Sequence, residues 1–359
     1  MDAIDAALVR IVEHDLQLIQ YQQTPISKKL QQTIRSINTE STLSEISEID
    51  VIMGNLFAEA SLQVIESGDL APEDIHAIGS HGQTILHLPE AKHPRTLQIG
   101  DANIIAYQTG IITVADFRRM DIAAGGEGAP LVPAFHQWLF QNEKSDRVIL
   151  NIGGMANITL LPVDNKTAIT GFDTGPGNAL MDEWIQQHLD QDFDRDGVWA
   201  SSGQCNQELL SQLLDEAYFK TAPPKSTGKD YFNLQWLENK LSMLKTSIDA
   251  NDVQATLLEL STTTISEAIK NHAPDCDEIL VCGGGVHNKL MMQRLSDLQS
   301  ETKISSTEKA GLDPDAVEAV AFAWLAKCRM ENQSGNLTSV TGADDQVILG
   351  AIYNAGTGV

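Results

Sequence analysis

The chain has 359 residues, 42% hydrophobic and 20% charged, which allows two domains or one large α/β unit with a substantial core. A formal net charge of −25 argues against a nucleic-acid backbone or an anionic membrane surface as partner, because either requires a basic footprint. Cys205, Cys276, Cys282 and Cys328 show neither metal-ligand spacing nor a disulfide framework, and no apolar run reaches transmembrane length, so a reduced, soluble cytoplasmic protein is expected.

Taken in order, alternation at Ala7, Val9 and Ile11 and again at Leu16 and Leu18, around Glu13-His14-Asp15, predicts a hairpin. Helical spacing follows over residues 27–37 and 43–67. Ile75-His76-Ala77-Ile78 reads as a short strand running into Gly79-Ser80-His81-Gly82-Gln83-Thr84. There His81 and Gln83 flank a glycine and suit hydrogen bonding to a polar ligand such as a sugar; a histidine that merely pins the turn is the plainer alternative. Residues 96–101 are a strand and turn, 102–108 a helix, and 111–115 a strand that delivers Asp116-Phe117-Arg118-Arg119-Met120-Asp121. Two arginines among aspartates form a solvated ion-pair cluster or, ahead of a Gly-rich loop, clamp a carboxylate through bidentate bonds. The glycine cluster at 123–130 is the candidate interdomain hinge.

A helix over 132–141 opens the second half. Residues 147–161 read as strand, Gly153-Gly154 turn and strand; with Asn151 and Asn157 this cradles phosphate oxygens or is an ordinary hairpin. Ala168-Ile169-Thr170 is a short strand before Gly171-Phe172-Asp173-Thr174-Gly175-Pro176-Gly177-Asn178, and a helix starts at Ala179. A carboxylate at a strand end, among glycines and ahead of free helix N–H groups, suits chemistry beside an anion. An aspartate that caps the helix is the alternative. Residues 223–230 form a basic island, an exposed loop or one whose Lys225 meets a phosphate or a substrate acid. Helical periodicity covers 234–244 and 252–272. The strand 278–282 leads to Gly283-Gly284-Gly285-Val286-His287-Asn288 and a helix from Lys289, a nucleotide-compatible unit because bulky side chains there block a base or ribose. An alanine-rich helix over 314–329 carries Glu318, which needs a partner if buried. Residues 345–353 read as a short helix, and the terminal stretch to 359 is expected to return to the first lobe.

Three loops, around Gly153, Gly175 and Gly284, are suited to phosphate or nucleotide, and together they favour a phosphoryl-transfer site. Residues 79–84, 116–135, 151–159, 171–178, 223–228, 283–288 and 313–323 jointly resemble the 1,6-anhydro-N-acetylmuramic acid kinases of the sugar kinase, Hsp70 and actin superfamily. The resemblance implies an α/β fold of two ribonuclease-H-like lobes with mixed sheets flanking a deep cleft, here residues 1–130 and 131–344. It implies a cytoplasmic homodimeric kinase, using ATP and Mg²⁺, that opens the anhydro bridge by hydrolysis and phosphorylates the freed O6. The product would be N-acetylmuramic acid 6-phosphate, in peptidoglycan recycling. Asp173 then becomes the catalytic base. Asp2, Asp5, Asn151, Gly153, Gly154, Asn157, Gly175, Gly177, Asn178, Gly283, Gly284, Gly285 and Asn288 are assigned to the nucleotide, with Asp2 also on the metal. His81, Gln83, Arg118, Asp121 and Glu318 are assigned to the sugar, Arg118 to its lactyl carboxylate.

One departure stands out. Members begin with a strand and a Gly-Thr-Ser-x-Asp-Gly-x-Asp phosphate loop, whereas this chain enters that loop midway with Met1-Asp2-Ala3-Ile4-Asp5 and has Ala3 in place of glycine. An absent strand opens a sheet edge, so weakened ATP binding or stability is expected. A non-catalytic muramyl-sugar-binding relative is the competing reading. An aspartic protease read from Asp173-Thr174-Gly175 needs a second carboxylate loop of that kind, which this chain lacks.

Overall fold

The structure, a computed structural model, describes residues 3–38, 40–164 and 166–356. The chain forms two compact units, Met1–Leu139 with Ala316–Val359, and Phe140–Asp315.

The first unit opens with the antiparallel hairpin β1 (Ala3–Val12) and β2 (Asp15–Pro25), turning at Glu13, whose φ is 53°. Helix α1 (Lys28–Ser36) is capped by the Ser27 hydroxyl, and α2 (Leu43–Ser67) starts on a reciprocal Thr42–Glu45 capping box. The buried stripe of α2, Ile49, Met53, Ala60 and Val64, recurs at helical spacing and joins Ile4 and Leu8 of β1 in the interior. There follow β3 (Ile78–Gly79), β4 (Gln83–Leu88), β5 (Arg95–Ile99), α3 (Ala102–Thr109), β6 (Thr113–Ala115), α4 (Arg118–Ala123) and α5 (Val132–Phe140).

The second unit is built on one sheet. Its strands are β7 (Arg147–Ile152), β8 (Met155–Leu161), β9 (Thr170–Pro176), β10 (Glu278–Cys282) and β11 (Lys303–Ser306), in the order β11-β10-β7-β8-β9. β7, β8 and β9 are antiparallel, while β10 runs parallel to both β7 and β11. This three-plus-two arrangement is the ribonuclease-H-like mixed sheet expected of a lobe. Its helices are α6 (Ala179–Leu189), α7 (Val198–Ser201), α8 (Gln207–Leu214), α9 (Ala217–Lys220), α10 (Leu234–Ser242), α11 (Ala250–His272) and α12 (Lys289–Leu298). Leu257, Leu260, Ile265 and Ile269 of α11 share one core with Leu180 and Trp184 of α6 and with Val148, Leu150 and Ile152 of β7.

The chain then returns to the first unit with α13 (Val317–Met330), α14 (Thr338–Thr341) and β12 (Ala351–Tyr353). The terminal helix expected over 345–353 is instead a strand, paired antiparallel with β6. Gly350 at φ 89° passes so close to Val114 that a Cβ would lie 2.8 Å from it, and the open edge of β6 supplies partners that local periodicity cannot reveal. The unit boundaries fall at 139/140 and 315/316, not at 130/131 and 344, so α13 belongs to the first unit. Nor is the glycine cluster a hinge between units. Gly126 N–H donates to the Asp121 carbonyl at 2.9 Å, Gly128 N–H to Asp121 Oδ2 at 2.8 Å, and Glu127 N–H to the Thr341 carbonyl at 2.8 Å. All five residues lie in the first unit.

No helix among the described residues is long and apolar enough to cross a membrane.

Candidate active site

Asp173 does not sit in a loop. The glycine-rich run from Gly171 to Pro176 continues β9, and β9 pairs with β8 so that Asp173 lies opposite Asn157 and Asn157 opposite Asn151. Directly opposite residues of antiparallel strands share a face, so Asn151, Asn157 and Asp173 form a row across the sheet. β9 is the outer strand, and the 223–228 loop closes its edge: Asp173 N–H donates to the Lys225 carbonyl at 3.2 Å. The Thr227 N–H donates to Asp173 Oδ2 at 2.9 Å, and the Tyr218 hydroxyl donates to the Asp173 carbonyl at 2.7 Å. Burial pushes the Asp173 carboxyl up to about 6, against the opposing pull of the Thr227 N–H. The neighbouring Thr174 hydroxyl is buried and donates to the Ala156 carbonyl at 3.2 Å, which takes it out of the chemistry.

The helix start after Asp173 is not a free anion site. Gly177 and Ala179 N–H donate to the Gly154 carbonyl, and Asn178 N–H to the Gly153 carbonyl, at 2.9–3.0 Å. The Asn178 amide donates to the Ile152 carbonyl at 3.3 Å. Gly177 and Asn178 therefore tie α6 to the β7–β8 turn. Gly175, at φ 145°, gives room to the Phe219 ring, which a Cβ would approach to 2.7 Å. Two of the three successive glycines are likewise required by close approach: a Cβ on Gly283 would meet Asn151 Oδ1 at 2.3 Å, and one on Gly285 would meet Ile152 at 2.3 Å. Asn288 caps α12, its Oδ1 accepting from Met291 N–H at 3.1 Å. Three of the assigned glycines remain open, and Gly153 meets only the Met155 carbonyl, at 3.6 Å from its Cβ position. Gly284 has nothing within 4 Å of its Cβ position, and exposed Gly154 has Lys229 Cε at 3.4 Å as a nearby cation. Such uncovered glycine backbone fits a phosphate or ribose.

Lys225 is engaged within its own loop. Its Nζ donates to the Tyr218 carbonyl at 3.2 Å and stands 4.7 Å from the centre of the Tyr218 ring, with its pKa lowered by burial. Lys229, four residues on, holds the more exposed place.

In the first unit Arg118 Nε donates to His81 Nε2 at 2.9 Å, and Arg118 Nη1 donates to the Gly128 carbonyl at 2.8 Å. His81 accepts as a neutral ring: burial, then the Arg118 charge, lowers it to about 3. Glu318 is open to a cavity but flanked closely enough by protein that its carboxyl is raised, with Arg118 opposing that shift and Asp5 adding to it. Asp5 is exposed, and its Oδ1 accepts from Tyr21 Oη at 2.6 Å and Gln23 Nε2 at 2.9 Å. Gln83 begins β4, and its amide donates to the adjacent Thr84 carbonyl at 3.0 Å. Asp121 is fully buried and accepts from Gly128 N–H, Asn336 Nδ2 and Thr341 Oγ1 at 2.7–2.8 Å, so it is a structural staple and not a sugar contact. Asp2, assigned to nucleotide and metal, lies outside the described residues.

Among the described residues no group of three or more His, Cys, Asp or Glu is gathered for a metal. Mg²⁺ that travels on phosphates needs only one or two carboxylates. The residues that sequence reasoning missed are Thr227, Tyr218 and Lys229. Residues 223–230 stand out as a basic island, yet nothing local says that Thr227 faces Asp173.

Residues 1–355 match the family model described as anhydro-N-acetylmuramic acid kinase. A protein of that description from Coxiella burnetii is 48% identical over 355 residues, covering 98% of this chain and 94% of its own length. One from Vibrio cholerae is 46% identical over 356 residues, covering 98% and 95%. Among solved structures, the activator of the 2-hydroxyisocaproyl-CoA dehydratase from Clostridium difficile with bound ADPNP has a TM-score of 0.40 at 12% identity. It covers 88% of this chain and 90% of its own, a likeness too loose to carry weight.

Proposed function

The chain belongs to the anhydro-N-acetylmuramic acid kinase family, an enzyme family that phosphorylates an anhydro-sugar with ATP, and on that premise we propose that Asp173 is the base of the reaction. Its carboxylate takes a proton from water as the water oxygen bonds to the anomeric carbon. The bond from that carbon to O6 breaks, and O6 takes the γ-phosphoryl group, releasing ADP. Water is a poor nucleophile, so a carboxylate within hydrogen-bond reach lowers the barrier. The observation that carries this role is the half-enclosed Asp173 carboxyl, raised to about 6 while one oxygen is held by Thr227 N–H. That hydrogen bond fixes the carboxyl plane and leaves Oδ1 for the proton.

The remaining demand is positioning and charge neutralisation. Gly154 with Lys229, and Gly284, are the backbone positions proposed for the nucleotide. Mg²⁺, when bound to the phosphates, supplies further positive charge. Arg118, oriented by His81 and Gly128, is proposed to hold the lactyl carboxylate, with Glu318 beside it. A cytoplasmic homodimer is the proposed setting, in keeping with the net charge of −25 and four free cysteines. An ATP-coupled assay with 1,6-anhydro-N-acetylmuramic acid, run on the chain and on Asp173→Asn, tests the role. Turnover by the variant at the parent rate refutes it.

A further inference from the structure

One ammonium group joins the residues that hold Asp173. The Lys225 carbonyl accepts from Asp173 N–H, the Tyr218 hydroxyl donates to the Asp173 carbonyl, and Thr227 N–H donates to Oδ2. Lys225 Nζ donates to the Tyr218 carbonyl at 3.2 Å and lies 4.7 Å from the centre of the Tyr218 ring. It also lies 5.9 Å from the centre of the Phe172 ring, on the residue that precedes Asp173 in β9. Both distances fall within the roughly 6 Å over which a ring face attracts a cation. The two rings are firmly set. Phe172 is buried, and Tyr218 stands edge-on to the fully buried Phe232 at 5.6 Å.

The loop over Asp173 has few other anchors. Residues 225–228 belong to no helix or strand. Pro223 and Pro224 have no N–H to give, and Ser226 is exposed. Thr227 Oγ1 has no hydrogen-bond partner among the described residues. Exposed Lys229 reaches only as far as Glu183, at 3.7 Å.

We propose that Lys225 is a positioning residue for the kinase reaction: its ammonium, set against the Tyr218 and Phe172 rings, clasps the 223–228 loop onto β9 and so keeps Thr227 N–H on the Asp173 carboxyl. The proposal rests on the reading of Asp173 as the base. Burial is the first cause of the raised Asp173 carboxyl, and the Thr227 N–H opposes it. A lifted loop removes both, so the larger one decides and the carboxyl falls from about 6 toward its ordinary value near 4. Two other titratable groups face this cation. Tyr218 is raised by burial and then by the Asp173 charge; His272, 4.9 Å from the Phe172 ring, is lowered by burial and then by Lys225.

The test compares Lys225→Met, which keeps the apolar body, with Lys225→Arg, which keeps a cation for the rings. In Lys225→Met, hydrogen exchange of the Asp173 and Thr227 amides quickens about tenfold, the scale of one part-buried cation–π contact. Its kcat falls by about the same factor, KM for ATP and the sugar holds, and the acid limb of kcat moves below 6. Lys225→Arg restores all three, and Lys225→Gln, a donor without charge, falls between. Parent exchange and a parent limb in Lys225→Met overturn the proposal. So does a lowered Tm with kcat and limb unchanged, which makes Lys225 structural only. A raised KM at parent exchange gives Lys225 to a ligand and overturns it too. A limb that persists in Asp173→Asn refutes the base role instead. The carbon-13 titration of the Asp173 carboxyl needs no turnover and reports that group apart from His272, so it still decides: identical curves in parent and Lys225→Met overturn the clasp.

Discussion

The Thr227 main-chain N–H donates to Asp173 Oδ2 at 2.9 Å across a separation of 54 residues. The same loop receives the Asp173 N–H on the Lys225 carbonyl at 3.2 Å, so one segment both closes the outer edge of β9 and aims the carboxyl. A side chain held from its own strand and from the covering loop has little freedom left, which is what a positioned base requires.

Asp173→Asn keeps the shape and can still accept from Thr227, but it cannot take a proton. Turnover is expected to fall by about 10²–10⁴-fold, the usual worth of a general base. The Tm is expected to hold or rise, because a desolvated charge is removed. A coupled assay and a thermal melt on one preparation measure both.

The pH profile follows from the raised carboxyl. In the proposed role Asp173 acts only as carboxylate, so kcat should rise with pH through an ionisation at about 6 and level off above it. In Asp173→Asn this limb should vanish from the residual rate. A limb near the ordinary carboxylate range, around 4, would contradict the enclosure described for this residue.

Asp121→Ala leaves three buried donors, on Gly128, Asn336 and Thr341, without their acceptor. Each orphaned donor costs about 1–3 kcal/mol, so a drop of many degrees in Tm is expected. The protein that remains folded should keep its KM for the sugar. A large KM change with unaltered stability would return Asp121 to the binding site.

Arg118→Lys replaces a fork that reaches His81 and Gly128 with a single point charge. KM for the anhydro-muramic substrate should rise by about tenfold or more, the scale of one lost charge-assisted hydrogen bond. An anhydro-sugar without the lactyl carboxylate should bind parent and variant alike. Equal loss for both sugars would mean that Arg118 acts on the fold and not on the carboxylate.

Glu216 anchors the aromatic group behind Asp173, accepting from Tyr231 Oη at 2.7 Å and Trp236 Nε1 at 2.9 Å, with Lys240 at 3.0 Å. Burial pushes its carboxyl up, but these donors outweigh that and hold it at about 2. A folded pKa below the unfolded one gives stability that is complete above about 4.5 and lost as pH falls through about 2. The effect is at most about 3 kcal/mol before solvent screening. Urea unfolding at several acid pH values should show a shallower dependence in Glu216→Gln.

Local pattern was enough for much of this protein. The 3.6-residue spacing in α2 and α11, and the alternation of β7 and β8 around Gly153-Gly154, depend on nearest neighbours and were legible without a fold. Asp173 was also legible as the carboxylate to watch, because few other segments combine an acid with so many glycines. What each polar group faces was not. Glycines 171 and 175 read as loop, yet pairing with β8 makes them strand; Gly177 and Asn178 read as phosphate donors, yet folding brings the Gly153 and Gly154 carbonyls to them. Asp121 and Thr227 exchanged roles in the same way: one is consumed by Asn336 and Thr341, more than two hundred residues distant, while the other meets Asp173. A hydrogen-bonding group serves a ligand only when the fold provides no internal partner for it, and those partners come from far along the chain.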